Sequence, residues 1–176
     1  AAMAHRADAE VVTYGERGDV RAEALVLDVE LRPRFRLCSP WGDIDVVLEA
    51  RGEHMATNAL AAAAVGLRLG VPLDAVAAGL GRARLSPMRM EVLRTPTGAT
   101  VINDSYNANP ASMRAAIAVL GAVSRSAYPR RVAILGDMLE LGALSPAQHE
   151  EMVAQAANCG AALLVLVGDE CGRARA

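Results

Sequence analysis

Two apolar stretches near the end of the sequence, residues 131–137 (RVAILGD) and 162–169 (ALLVLVGD), constrain the fold most strongly. Each has the length and the branched aliphatic side chains of a strand buried on both faces, and each ends in Gly-Asp. Between them, Ser145-Pro146-Ala147-Gln148 is typical of a capping box that starts a helix, and Cys159-Gly160 is typical of the end of one. Strand, helix and strand in this order predict an α/β fold with a mostly parallel sheet.

The segment before these stretches continues the alternation of strands and helices. Residues 90–95 and 99–104 are predicted strands on either side of Pro96-Thr97-Gly98. Asn109-Pro110 predicts the start of a helix that runs to about Val123, because Asn is a good N-cap and Pro suits the first helical position.

The first half of the chain has a different pattern. Residues 23–31, 34–40 and 43–50 predict an antiparallel meander, because apolar and polar residues alternate and Pro40-Trp41-Gly42-Asp43 indicates a turn. Four further elements are predicted: helices over 55–69 and 73–80, a strand over 11–15, and the end of a helix over 1–9.

A linker at residues 82–88, which contains Ser86-Pro87, predicts a domain boundary between 1–88 and 89–176. Both ends of the chain are expected to be cut. The first residues indicate a helix already in progress, and the chain stops about eight residues after its last apolar strand.

The sequence contains no lysine, and all 18 of its basic residues are arginine. A Walker-type phosphate loop and a Schiff-base lysine are therefore excluded from this chain. A net charge of −2 gives no basic surface for nucleic acid, and no apolar run approaches the roughly 20 residues that span a bilayer. Three unpaired cysteines and the absence of a signal-peptide pattern predict a reduced, cytoplasmic protein.

The polar string at residues 103–110 (NDSYNANP) is the strongest candidate site. It follows a predicted strand and precedes a helix, which is where ligands bind in open α/β sheets. A carboxylate such as Asp104 can accept hydrogen bonds from both hydroxyls of a ribose, and a helix N-terminus favours anions. The alternative is a polar turn, since Asn, Asp and Ser are common turn residues.

Other candidates are weaker. His54 and Asn58 lie four residues apart and would share a helix face, where both could bind the edge of a planar heterocycle; a solvated face is the alternative. Arg89 could contact a nucleotide or be a solvated arginine. Asp137 and Glu140 could be paired carboxylates for acid–base chemistry or metal binding, or could cap loops and helices.

Three of these segments together resemble the Mur ligase family. GEHMATNALAAAAVGL (52–67) is similar to the family's Gly-x-His-Asn-x-x-Asn-Ala helix start. NDSYNANPASM (103–113) and ILGDMLELG (134–142), followed by Ser145 and His149, resemble the branch of the family that adds D-alanyl-D-alanine. VTYGERGDVRAEAL also resembles that branch, so the resemblance covers almost the whole chain.

The resemblance implies an ATP-dependent ligase of peptidoglycan precursor synthesis with Mg²⁺ as a cofactor. Its partners would be UDP-N-acetylmuramoyl-tripeptide and D-alanyl-D-alanine, joined through an acyl-phosphate intermediate. Residues 1–88 would be the C-terminal part of the central ATP-binding domain, with antiparallel hairpins and helices. Residues 89–176 would be a partial Rossmann-like C-terminal domain.

Carried over by position, His54 and Asn58 would face the adenine, while Arg89 and Asp104 would contact the nucleotide, with Asp104 on the ribose. Three further residues would line the cleft between the domains: Tyr106, Asn107 and Asn109. No catalytic residue and no metal ligand is assigned within the chain.

The chain departs from the family pattern at Met55, where an asparagine usually follows the histidine. The family's phosphate loop, magnesium ligands and modified lysine are expected upstream of residue 1, so the chain alone is expected to be inactive. Two alternatives stay open: a sibling Mur or folylpolyglutamate-type amide ligase, and a non-catalytic α/β binding module.

Overall fold

The structure is a computed structural model that describes residues 8–174. The chain divides into two compact units, Ala1–Arg84 and Leu85–Ala176, each with its own hydrophobic core. The predicted N-terminal helix falls mainly on residues 1–7, which lie outside the described range, and residues 8 and 9 form a bend. Over the range that is described, no helix has both the length and the apolar character of a membrane span.

The first unit contains the predicted meander as a three-stranded antiparallel sheet in the order β1-β2-β3. Its strands are β1 (Arg21–Leu27), β2 (Pro33–Ser39) and β3 (Gly42–Val47). The predicted turn between β2 and β3 is confirmed, with the Ser39 hydroxyl donating to the Gly42 carbonyl at 2.8 Å.

β1 ends four residues earlier than predicted because Asp28 closes a turn. Its carboxylate accepts from the backbone N–H groups of Glu30 and Arg32 at 2.8 and 2.9 Å, and the backbone at Leu31 is left-handed. Val29, which was assigned to the strand, is consequently fully exposed.

The strand predicted over residues 11–15 is wrong: Tyr14 forms only an isolated bridge with Val20. The Asp19 carboxylate accepts from both the backbone N–H and the hydroxyl of Thr13, at 2.8 and 2.7 Å. These bonds close a short loop between Thr13 and Asp19.

Two helices cover the sheet of the first unit, close to the predicted bounds. They are α1 (His54–Arg68) and α2 (Leu73–Gly81). An alanine-rich face of α1 packs with Leu60 and Leu67 against Phe35 and Leu37 of β2, and α2 adds Val76. This packing fixes the first turn of α1 on the core.

The second unit has two separate two-stranded sheets among its described residues instead of one mostly parallel sheet. β4 (Glu91–Arg94) and β5 (Thr100–Asn103) are antiparallel, and β6 (Val132–Gly136) and β7 (Leu163–Val167) are parallel. The turn at 95–99 is far shorter than the dozen or so residues that a parallel crossover needs, so β4 and β5 form a hairpin.

Within the described part of the second unit there are three α-helices: α3 (Pro110–Ala122), α4 (Ser145–Asn158) and α5 (Asp169–Arg173). α3 begins as predicted, with Asn109 as the N-cap in a capping box with Ser112. The core joins α3 and α4 to β6 through residues that include Met113, Ile117, Leu135, Met152 and Ala156.

The predicted capping box at Ser145 is wrong. A 3₁₀ turn over Gly142–Leu144 runs directly into α4, so Ser145 already has helical backbone angles and caps nothing. Its hydroxyl instead donates to Glu170 at 3.0 Å, while the Gln148 side chain donates to Glu151. The predicted end of α4 is confirmed, since Gly160 is left-handed just after it.

Candidate functional site

A strained backbone segment, residues 88–90, opens the second unit and presents Arg89. We call it the arginine arch. Met88 and Met90, on either side of Arg89, both have left-handed backbones, with φ of 60° and 50°. Such conformations are unfavourable for residues other than glycine and collect at functional sites. Interactions with neighbouring residues must therefore stabilise the backbone of the arch.

The loop after β5 supplies those interactions. The Asp104 carboxylate accepts from the Met90 N–H at 2.9 Å, and the Tyr106 N–H donates to the Met88 carbonyl at 3.1 Å. Asp104 is half-buried. Because its Oδ1 faces Met90, Oδ2 remains for a further partner. Both sides of Arg89 are thus fixed by residues of the predicted site.

The guanidinium of Arg89 lies over the ring of Tyr106, 4.3 Å from its centroid. Both side chains are exposed, Tyr106 by 57%. A guanidinium on an aromatic face is attracted by the ring quadrupole. The structure therefore brings Arg89, Asp104 and Tyr106 together, although Arg89 is far from the other two in sequence.

Both asparagines in residues 103–110 that follow Tyr106 accept hydrogen bonds from backbone N–H groups through their side chains. Asn109 caps α3, with its Oδ1 accepting from the Ser112 N–H at 2.9 Å. The Asn107 Oδ1 accepts from the Ala108 N–H at 2.8 Å, and the side chain is exposed. Asn109 thus fixes the helix start, and Asn107 shapes the loop leading to it.

In the first unit, His54 and Asn58 both lie in the first two turns of α1, on the face predicted by their spacing. His54 is half-buried, and Asn58 is exposed, with its amide 3.7 Å from the Met55 sulfur. Met55, the departure from the family pattern, is thus the neighbour of Asn58 on the helix.

A second polar cluster, not predicted from sequence, surrounds the fully buried His149 of α4. Its Nε2 accepts from the Met138 N–H at 2.9 Å, and its Nδ1 lies 2.8 Å from the Ser145 carbonyl oxygen. A carbonyl can only accept and a backbone N–H can only donate, so Nδ1 is the donor and Nε2 the acceptor in these two hydrogen bonds.

Asp137, at the carboxyl end of β6, belongs to the same cluster. Its carboxylate accepts from the backbone N–H groups of Cys171 and Glu170, at 2.7 and 3.3 Å, at the start of α5. These bonds, led by that from Cys171, hold the pKa of Asp137 below its usual range against the opposing effect of burial. Glu140 is exposed, whereas Asp137 binds backbone N–H groups of α5. The two carboxylates that were predicted as a possible pair therefore have different roles.

Asp137, His149 and Cys171 have ligand atoms within 4.8 Å of one another, which is metal-like spacing. Both imidazole nitrogens are already used in hydrogen bonds to the backbone. Burial and the neighbouring Asp137 raise the pKa of the Cys171 thiol to about 11, so it is not a thiolate at neutral pH. The cluster is a structural joint between β6, α4 and α5.

The chain belongs to the Mur ligase family: the family model described as Mur ligase, glutamate ligase domain, matches residues 88–176, half of its length. In sequence it is similar to the UDP-N-acetylmuramoyl-tripeptide--D-alanyl-D-alanine ligase of Mycobacterium tuberculosis (strain ATCC 25618 / H37Rv). The two are 42% identical over 173 residues, which cover 96% of this chain and 34% of that protein.

Two further comparisons agree in sequence and structure. The ligase of the same name from Escherichia coli (strain K12) is 40% identical over 136 residues, covering 77% of this chain and 29% of that protein. A crystal structure of MurF from Acinetobacter baumannii superposes with a TM-score of 0.83 at 34% identity, covering 94% of this chain and 35% of that one. The chain thus spans about a third of the length of these relatives.

Proposed function

We propose that this chain binds the adenosine part of ATP in a ligase that adds D-alanyl-D-alanine to UDP-N-acetylmuramoyl-tripeptide, a cytoplasmic step of peptidoglycan precursor synthesis. The observation that carries the proposal is the position of Asp104. It lies at the carboxyl end of β5, just before the N-terminus of α3, and also holds the arch that presents Arg89. The similarity to relatives of that name over 96% of this chain supports it.

In this proposal the nucleotide is held by four side chains. Asp104 accepts from the ribose hydroxyls through Oδ2, the oxygen that Met90 leaves available. Arg89 donates to the nucleotide from the arch, and His54 and Asn58 contact the adenine from the first two turns of α1. Three residues of the β5–α3 loop line the substrate cleft: Tyr106, Asn107 and Asn109.

The domain assignment is part of the same proposal. Residues 1–88 correspond to the C-terminal portion of the central ATP-binding domain, and the antiparallel sheet with two covering helices supports this. Residues 89–176 correspond to a partial Rossmann-like C-terminal domain, which the parallel β6–β7 pair and its covering helix α4 support.

The reaction follows the general logic of acyl activation. A carboxylate oxygen of the tripeptide attacks the γ-phosphorus of ATP, and ADP leaves. The amine of D-alanyl-D-alanine then attacks the acyl carbon, phosphate leaves, and the nitrogen loses a proton to give the amide. The residues of this chain contribute by binding and orienting adenosine, which places the phosphates without touching the reacting atoms.

Magnesium would neutralise charge on the phosphates when bound. The residues assigned here are directed at adenine and ribose, so its ligands are not among them. The chain has no lysine, so the phosphate-binding lysine of such an enzyme must also come from residues outside it.

A segment exchange tests the proposal. This chain replaces the matching third of Acinetobacter baumannii MurF, and phosphate release from ATP is measured with UDP-N-acetylmuramoyl-tripeptide and D-alanyl-D-alanine. We expect release that depends on D-alanyl-D-alanine. Asp104→Ala should abolish most of it, and Asp74→Asn, on the exposed start of α2, should not.

The amino substrate separates the alternatives. The family model is described as a glutamate ligase domain, so glutamate is the competing substrate to test. Release with glutamate and not with D-alanyl-D-alanine would assign a sibling amide ligase. A folded chimera that binds ATP but releases phosphate with neither would favour the binding module.

A further inference from the structure

Arg89 has a fixed backbone and an exposed side chain. Its neighbours Met88 and Met90 are held by Tyr106 and Asp104, but its guanidinium makes one described contact, with the ring of Tyr106. An arginine in this position would otherwise sample many rotamers, and binding would have to fix them. The contact with the ring therefore favours one orientation of the guanidinium before a ligand binds.

We infer that Tyr106 is a positioning residue for Arg89, acting through its ring and not through its hydroxyl. The inference rests on the proposed function, because it takes Arg89 to be a nucleotide contact. Tyr106 then affects nucleotide binding only while Arg89 is present.

The kind of contact supports this role. A carboxylate partner would occupy two of the five N–H donors of the guanidinium, whereas a ring under its flat face leaves the donors at the rim available. Stacking thus orients Arg89 without using the groups that would bind a phosphate or a ribose oxygen. Pre-organisation of this kind improves affinity by lowering the entropy lost on binding.

The backbone couples the two side chains. The Tyr106 N–H donates to the Met88 carbonyl, and the Asp104 carboxylate accepts from the Met90 N–H. The ring and the guanidinium therefore extend from two loop segments joined by two hydrogen bonds. The Tyr106 hydroxyl makes no hydrogen bond with any described residue, and the side chain is 57% exposed. Its hydroxyl can therefore be removed without breaking a contact of the folded chain.

The test is a double-mutant cycle on the 176-residue chain, with Mg²⁺-ATP binding followed by NMR chemical-shift titration. Tyr106→Phe keeps the ring and should bind ATP like the wild type. Tyr106→Leu should weaken binding about two- to fivefold, the strength of an exposed cation–π contact. In the Arg89→Ala background, Tyr106→Leu should have no further effect.

A second signal does not depend on nucleotide. The Arg89 δ and ε protons should be shifted upfield by the ring current in the free chain and in Tyr106→Phe, and this shift should disappear in Tyr106→Leu. An unchanged shift in Tyr106→Leu would overturn the inference.

The outcomes separate the inference from the proposed function. Equal loss from Tyr106→Leu with and without Arg89, or loss from Tyr106→Phe, would mean that Tyr106 acts directly and would overturn the inference alone. Normal ATP binding by Arg89→Ala would remove Arg89 from the proposed site and would overturn the inference with it. No ATP-induced shift near Arg89 in the wild type would overturn both.

Discussion

His149 accepts a hydrogen bond from the backbone N–H of Met138, 2.9 Å from its Nε2, at a site that excludes solvent completely. Met138 is the second residue after β6, so the bond ties the loop leaving the parallel pair to α4. Ser145 extends the joint to Glu170 of α5 through its hydroxyl.

Replacing His149 by Phe should destabilise the second unit. The ring would be replaced by one of similar size, but the Met138 N–H would lose its acceptor and the Ser145 carbonyl would lose the imidazole donor. An unsatisfied buried polar group costs about 1–3 kcal/mol, so we expect the free energy of unfolding to fall by about 2–4 kcal/mol. Urea unfolding measures it, with the exposed neighbour Glu150→Ala as the control. If His149→Phe lowered the free energy of unfolding no more than the control does, His149 would not stabilise the contact between the β6 loop and α4.

Asp137 should make the stability of the chain depend on acid pH. Its pKa is lowered in the folded chain, so the unfolded chain binds more protons at acid pH. Its contribution is complete above the ordinary carboxyl pKa of about 3.9 and is lost as the pH falls through the lowered value.

The matching variant is Asp137→Asn, which should cost about 0.3–2 kcal/mol at pH 7, the range for removing a favourable charge from the start of a helix. The difference from wild type should shrink towards pH 3. Urea unfolding across this pH range measures it, with the exposed Asp8→Asn as the control. A difference that stays constant with pH would show that the charge of Asp137 contributes nothing.

Gly168 allows this arrangement by having no side chain. Its φ is +106°, and a Cβ atom at this position would lie 2.3 Å from the Asp137 carboxylate. Gly168→Ala should therefore destabilise the chain by more than about 2 kcal/mol, since it combines backbone strain with overpacking. Gly172→Ala, where a Cβ meets nothing within 4 Å, is the matched control for thermal unfolding. Equal melting temperatures for the two variants would argue against the clash.

Arg131 should be a structural arginine despite its charge. It is only 6% exposed and donates to the carbonyls of Leu120 and Gly121 at the end of α3, and to that of Gly160 after α4. A cation there satisfies carbonyls that each helix leaves unpaired and suits the negative end of the helix dipole.

The neighbouring arginine provides the control for this role. Arg131→Met should lower the free energy of unfolding by about 2–4 kcal/mol because three carbonyls at the ends of α3 and α4 lose their charged donor. Arg130→Met, at an exposed position, should change it by less than about 0.5 kcal/mol. Urea unfolding of both variants measures the difference. Similar losses of unfolding free energy in the two variants would mean that Arg131 does not cap the helix ends.

Local chemistry explains what could be predicted from the sequence. The start of α3 depends on Asn109 and Pro110, which are adjacent in sequence, so the helix start was visible as a pattern, although its capping box with Ser112 was not predicted. The turn at Pro40–Trp41 and the left-handed Gly160 after α4 are equally local.

The errors depended on partners distant in sequence. Ser145 resembles an N-cap, but its hydroxyl binds Glu170, 25 residues away, and a 3₁₀ turn extends the helix past it. The burial of His149 follows from Met138 in another element, which no spacing rule reveals. Asp104 was predicted as a ligand residue, but its bond to Met90, and so the arch around Arg89, required the fold.

Asp104 should have two separable roles, one in the fold and one in nucleotide binding. Its Oδ1 holds the Met90 N–H, and its Oδ2 is proposed to bind the ribose. Asp104→Asn keeps an oxygen for Met90 but loses the charge, whereas Asp104→Ala loses both. We therefore expect Asp104→Asn to change the free energy of unfolding by less than about 1 kcal/mol, and Asp104→Ala to lower it by about 1–2 kcal/mol.

Nucleotide binding should test the second role, in which the two variants should behave alike. Hydrogen bonds to a charged group contribute about 1.5–3 kcal/mol, so both Asp104 variants should weaken ATP binding at least about tenfold. They should change binding of 2′,3′-dideoxy-ATP little, because that nucleotide has no ribose hydroxyl to donate. Titration of each variant with both nucleotides, beside the Asp74→Asn control, measures the difference. Equal weakening for ATP and dideoxy-ATP would place Asp104 away from the ribose and leave it only the role of holding Met90.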